Sequence, residues 1–136
     1  MSTSGYSGTP LLNKLGIKPS TRVWLINKPR DYYELLEHDI HLQLCGQNES
    51  PDFVHVFVEN RKEFETHMKT VVEVSRKNRQ IIIWVSWYKK SSKIATDITE
   101  DDIRNYALQN GLVDIKVCAV NDIWSGLKLV VPKLQR

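Results

Sequence analysis

Three short runs of apolar residues recur along the chain, each with polar residues at both ends. They occupy residues 22–27, 53–58 and 81–85. Because strands that are buried on both faces show continuous apolar character, these runs predict parallel strands at the centre of a sheet. Residues 40–44 alternate apolar and polar side chains, which predicts a half-exposed strand near a sheet edge. Residues 113–120 and 127–131 lie close together in sequence and therefore predict two antiparallel neighbours.

Between the strands, apolar residues recur at intervals of three and four, the spacing that predicts amphipathic helices. One helix follows Asn60, whose side chain is suited to capping it, and a second runs from Thr99 to a stop at Gly111. The predicted buried face of the first consists of Phe64, Met68, Val71, Val72 and Ser75. Apolar stripes within residues 11–17 and 31–36 predict two shorter helices.

The resulting order of elements is β-α-β-β-α-β-α-β-β. Such alternation predicts an α/β fold with three layers, in which a mostly parallel Rossmann-like sheet is closed by a C-terminal antiparallel hairpin. The length of 136 residues suits one domain, which we assign to residues 11–136. Residues 1–10 are rich in serine, threonine and glycine and predict a flexible N-terminal arm that presents Tyr6.

Charge and cysteine content restrict the partners and the compartment. The net charge of +3 and the isoelectric point near 8.9 are mildly basic, which favours an anionic ligand without requiring nucleic acid. No apolar run approaches the ~20 residues that span a bilayer, and the first residues lack a signal peptide's apolar segment. Cys45 and Cys118 lie far apart without the spacing of a metal site, so we predict buried free thiols, no bound metal and a cytoplasmic location.

The predicted pattern of elements resembles the Rossmann-like fold of class I methyltransferases, shortened by about one β-α unit. In that family a glycine-rich loop after the first strand approaches the cofactor, and a carboxylate one strand later holds its ribose. Here residues 27–31 contain no glycine, and the next predicted strand is followed by no acid before Glu49. We therefore predict that the chain does not bind adenosylmethionine, and no other cofactor is predicted.

Several segments also resemble a bacterial family of short proteins catalogued as a domain of unknown function, DUF3052. These segments are residues 5–11, 14–18, 84–87, 89–91, 96–100, 111–120 and 124–128. The resemblance covers nearly the whole chain and is most specific in the second half. Tyr88 stands where the family pattern has proline, and residues 19–20 stand where it has a glycine. The family implies no activity that can be carried over to this chain.

Basic residues concentrate in the three loops expected at the carboxyl ends of the central strands. They are Lys28, Arg30, Arg61, Lys62, Lys89, Lys90 and Lys93. Glu59 is the only acid in these loops, and ligands of open α/β sheets bind at this edge. The pattern predicts either an anion site or an ordinary solvated edge. The candidate ligand-binding residues are Lys28, Arg61, Trp87, Lys89 and Lys90.

The remaining chemically interesting residues have structural explanations. Trp84 and Trp87 should point to opposite faces of one strand, and we expect core packing for both, with stacking on a ligand as the alternative for one of them. His55 interrupts a buried strand and is expected to be a hydrogen-bonded core histidine. Ser125 lies beside Gly126 without the sequence of a nucleophile elbow, so a turn beside a packed tryptophan is expected there. No catalytic residue is identified.

The sequence leaves three kinds of function open. The favoured hypothesis is a binding or regulatory module, without catalysis, whose basic edge holds a small anionic molecule. The alternatives are a small enzyme acting on a phosphorylated or nucleotide substrate and a degenerate methyltransferase-like protein. Pairing of sheet edges into a homodimer is a further possibility.

Overall fold

The computed structural model describes residues 9–133, and the predicted arm therefore lies outside it except for Thr9 and Pro10. The described part contains four α-helices, five strands and two short 3-10 helices. The helices are α1 Leu11–Leu15, α2 Tyr32–Leu36, α3 Arg61–Lys77 and α4 Glu100–Gln109. The strands are β1 Val23–Ile26, β2 Phe53–Phe57, β3 Ile82–Tyr88, β4 Val113–Ala119 and β5 Trp124–Val130. None of the described helices has both the length and the apolar character to cross a membrane.

The five strands form one sheet in the order β1-β2-β3-β5-β4. β1, β2 and β3 are parallel, as predicted, whereas β5 is antiparallel to both β3 and β4. The sheet is therefore mixed, with the predicted parallel part followed by an antiparallel part, and β1 lies towards an edge rather than at its centre. Because β1, β2 and β3 run the same way, the loops at their carboxyl ends share one edge of the sheet.

Helices cover both faces of the sheet, because the strands bury apolar side chains on each. α3 and α4 pack with Val56, Val85 and Leu127 on one face, and α1 and α2 pack with Phe53 and Trp84 on the other. The buried face of α3 is the one that the helical spacing predicts. Its N-cap is Asn60, as predicted: the side chain accepts a hydrogen bond from the backbone N–H of Glu63 at 2.8 Å.

The predicted strand at residues 40–44 is wrong. This segment contains a 3-10 helix, His41–Gln43, in which the Leu42 side chain is fully exposed. A single parallel bridge between Leu44 and Val23 is the only strand-like pairing here among residues 9–133. The carboxylate of Asp39 accepts hydrogen bonds from the backbone N–H and the ring of His41, and these lower its pKa. This local bonding turns the backbone away from an extended conformation.

The last strand begins three residues earlier than predicted. Trp124, Ser125 and Gly126 belong to β5 rather than to the preceding turn, because β3 extends to Tyr88 and pairs with them. Trp124 packs as expected: it is 8% exposed, and its ring stacks on Tyr88 with the centroids 4.5 Å apart. Ser125 thereby comes to lie beside the carboxyl end of β3.

Candidate functional site: a lysine-rimmed groove at the carboxyl end of β3

A groove of about 820 Å³ opens where β3 ends. Its walls are the last residues of β3, the 89–96 loop, the first turn of α4 and Ser125 of β5. Trp87 supplies an apolar part of the wall and is only 7% exposed, since most of its ring packs in the core. The expected core packing of both Trp84 and Trp87 is thus confirmed, and Trp87 also borders the groove. The volume lies within the range usual for small-molecule sites.

The lysine rim of the groove consists of Lys89, Lys90 and Lys93, all of which line it. A 3-10 turn, Lys90–Ser92, brings the three together, with a backbone hydrogen bond of 3.1 Å from Lys93 to Lys90. The hydroxyl of Ser92 donates to the Lys89 carbonyl at 2.7 Å and tightens this turn. The backbone N–H of Lys89 also donates to the Ile123 carbonyl at 2.8 Å, which fixes the loop against the start of β5.

The opposite wall carries two carboxylates that are already paired. Both Glu100 and Asp101 form ion pairs with Arg104, the second at 2.8 Å, and Arg104 also reaches Asp114 at 3.0 Å. No ion pair within residues 9–133 involves a lysine of the rim. The positive charge of the rim is therefore not balanced by an ion pair among residues 9–133, whereas the carboxylates of the α4 wall share the single positive charge of Arg104 with Asp114.

Residues with hydrogen-bond donors other than the lysines also line the groove. The Tyr88 phenol is not free to act as a donor to a ligand, because burial and, secondarily, a hydrogen bond to Glu59 raise its pKa, and its single O–H is donated to Glu59. Thr99 and Ser125, whose side chains carry hydroxyl groups, also line the groove. Ammonium and hydroxyl groups around an open volume are suited to binding an oxyanion.

The five candidate residues from the sequence separate into two groups. Trp87, Lys89 and Lys90 line the groove together, whereas Lys28 and Arg61 do not. The Lys28 ammonium lies 5.0 Å from the centroid of the Tyr33 ring, and the Arg61 guanidinium pairs with Asp102 at 2.9 Å. Both cations thus already have partners within the protein.

Lys93 and Ser125 are two of the groove residues that were not among the candidates. Lys93 belongs to the predicted basic edge, and its place in the same loop as Lys89 is the sequence feature that could have identified it as a groove residue. No local sequence pattern indicates that Ser125 lines the groove, because its position depends on the pairing of β5 with β3.

His55, Tyr32 and Ser86 form a buried polar chain in the core on the opposite face of the sheet. The Tyr32 hydroxyl is 2.8 Å from His55 Nδ1, and the Ser86 hydroxyl is 2.7 Å from His55 Nε2. All three side chains are inaccessible to solvent, so a substrate cannot reach the serine. The expected role of His55 as a hydrogen-bonded core histidine is confirmed.

The two cysteines are unpaired and only partly buried, which corrects the expectation of buried thiols. Burial raises the pKa of both, Cys118 being flanked by lysines that oppose this shift. Within residues 9–133 no three His, Cys, Asp or Glu side chains are grouped in a way that could hold a metal ion.

Comparison with known proteins identifies the fold class. No protein-family model matches the sequence, and no curated protein matches it. A crystal structure from Streptococcus agalactiae, described as a protein of the NADB-Rossmann superfamily, is similar at 8% identity and a TM-score of 0.50. The match covers 92% of this chain and 69% of that one. An uncharacterised protein from Listeria monocytogenes serotype 4b is similar at 10% identity and a TM-score of 0.55, covering 93% and 69%.

The chain therefore has a Rossmann-like α/β fold with a five-stranded mixed sheet. At these identities the similarity concerns the fold alone, which hosts many unrelated functions. The resemblance to the bacterial domain of unknown function stays a prediction.

Proposed function

We propose that the chain is a binding module that holds a small anionic ligand with a phosphate-like group in the groove at the carboxyl end of β3. The observation that carries the proposal is the lysine rim, whose three ammonium groups lack carboxylate partners among the described residues. The position supports it as well, because open α/β sheets bind ligands at the carboxyl ends of parallel strands.

Binding without catalysis is favoured by the titratable groups that line the groove. A general base should be an unpaired carboxylate or a histidine within reach of the ligand. Here Glu100 and Asp101 are held by Arg104, and the phenol of Tyr88 has a raised pKa. His55 is buried in the core on the other face of the sheet. The lysines and hydroxyls that remain are groups that bind anions.

The proposal also includes the cellular location of the protein. Cys45 and Cys118 are free thiols, which fits a reducing compartment, and we place the protein in the cytoplasm of a bacterium.

Thermal unfolding in different salts tests the proposal. Phosphate should raise the melting temperature of the parent protein more than chloride does at matched ionic strength, because a bound anion relieves repulsion within the lysine rim. A ligand at 100 times its Kd adds about 2.7 kcal/mol of stability, a shift of several degrees. The double variant Lys89→Ser, Lys90→Ser should lose this specific gain and keep the general effect of excluded salts.

The matched control is Lys69→Gln, Lys77→Gln, which removes the same charge from the exposed side of α3, outside the groove. This control should behave as the parent does. Equal gains from phosphate in the parent and in both double variants would show that the rim is an ordinary solvated surface and would refute the proposal.

A further inference from the structure

Lys93 has a backbone conformation that lysine rarely adopts. Its φ of 63° and ψ of 14° are left-handed, at the end of the 3-10 turn Lys90–Ser92. Such positions are usually occupied by glycine, which has no Cβ to crowd the carbonyl oxygen, or by asparagine, whose short side chain can hydrogen-bond locally. Local backbone preference therefore does not explain a lysine at this position.

Lys93 nevertheless lines the groove together with Lys89 and Lys90. Strained residues are often retained where a side chain is needed for binding. A phosphoryl group carries roughly −1.5 to −2 charges at neutral pH, so two lysines balance one such group. The third lysine leaves a positive charge that a second, linked anionic group would balance.

The opposite wall restricts where that second group can lie. Glu100 and Asp101 line the groove on the side of α4, and although both pair with Arg104, the Asp101 side chain is 85% exposed. Carboxylates repel an anion, so both anionic groups of a ligand are favoured on the side of the lysine rim.

We propose that Lys93 determines specificity, selecting a ligand with two linked phosphoryl groups, of the pyrophosphate type, over one with a single phosphoryl group. This inference rests on the proposed function of the groove. It adds the chemical class of the ligand and a role for a residue whose backbone conformation is otherwise unexplained.

Calorimetric titration of the full chain with inorganic pyrophosphate and with inorganic phosphate, at matched ionic strength, tests this. The parent should bind pyrophosphate at least about tenfold more tightly, the effect of one additional charge-assisted hydrogen bond. Lys93→Asn should reduce the preference to about twofold or less, since it removes the charge at a position whose backbone suits asparagine. Without ligand, this variant should melt about 3 °C higher than the parent because the strain is relieved.

Lys69→Gln is the control for loss of one charge outside the groove and should keep the preference of the parent. An unchanged preference in Lys93→Asn, or equal binding of phosphate and pyrophosphate by the parent, would overturn the inference while leaving the proposed function intact. If the parent bound neither anion, the proposed function itself would fall.

Discussion

His55 shows how one polar side chain is accommodated in an apolar core. Both ring nitrogens have hydroxyl partners, and the ring stacks on Phe57 with the centroids 4.2 Å apart. A neutral imidazole has one donor and one acceptor nitrogen, which matches two hydroxyls that can each donate or accept. Complete burial disfavours the charged ring and lowers the pKa of His55 to about 3.

This burial predicts a loss of stability in acid. The folded-state pKa of about 3 lies below the unfolded value of 6.5, so between these values the unfolded chain binds the proton and the folded protein does not. The contribution is fully present above pH 6.5 and is lost as the pH falls towards 3. It amounts to roughly 1.4 kcal/mol per pH unit, or about 3 kcal/mol between pH 7.5 and pH 4.5.

Denaturant unfolding at both pH values measures this loss, and His55→Gln is the comparison, because glutamine keeps a donor and an acceptor but does not titrate. The variant should lose less stability over this interval than the parent. NMR gives a second readout that needs no variant: the His55 ring signals should not titrate between pH 7.5 and pH 5. Titration of His55 near pH 6.5 would contradict the prediction.

At the scale of elements, α4 is the helix that forms one wall of the groove. The Thr99 hydroxyl accepts from the backbone N–H of Asp102 at 3.2 Å, and the Asp102 carboxylate accepts from the backbone N–H of Thr99 at 3.0 Å. This reciprocal pair confirms the predicted start of the helix. It satisfies two backbone donors that would otherwise lack partners.

Thr99→Ala should therefore destabilise the protein by about 1 kcal/mol, the usual effect of removing an N-cap hydroxyl. Thr99→Ser retains the hydroxyl and should remain within a few tenths of a kcal/mol of the parent. Equilibrium denaturation in urea gives both values. An equal loss in the two variants would mean that the threonine methyl group, rather than the cap, contributes the stability.

The helices and the 39–44 segment show what local patterns can predict. The buried face of α3 and its cap at Asn60 followed from spacing and side-chain chemistry alone. The alternation over residues 40–44 predicted a strand that does not form, because Ile40 is buried by packing while Leu42 is fully exposed. Alternation predicts a strand only when a neighbouring strand is available for pairing, and here only Leu44 meets β1.

At the scale of the whole molecule, β3 is bonded along both sides, to β2 and to β5. β4 lies at one edge of the described sheet, with Ile115 and Val117 about half exposed. A bulge between Asp114 and Lys116 interrupts its pairing with β5, a feature that discourages further edge pairing.

Hydrogen exchange should reflect this arrangement. Backbone amides of β3 should exchange only through global unfolding, whereas the outward-facing amides of β4 should exchange much faster. Exchange measured by NMR at two protein concentrations checks this and also tests edge pairing. The contrary result is slow exchange of the amides along the whole of β4 that becomes slower still at the higher protein concentration. That result would show that a second copy covers the edge and would contradict the prediction.

Local patterns in the sequence are sufficient to predict the three parallel strands, the long helices with their caps, and a basic loop after β3. These features depend on the spacing of apolar residues and on side chains that bond to neighbouring backbone, both of which are local. The assembled fold alone places β5 between β3 and β4, which brings Ser125 to the groove. It also decided that Lys28 and Arg61 have partners elsewhere, because strand order and ion pairing depend on contacts between residues distant in sequence.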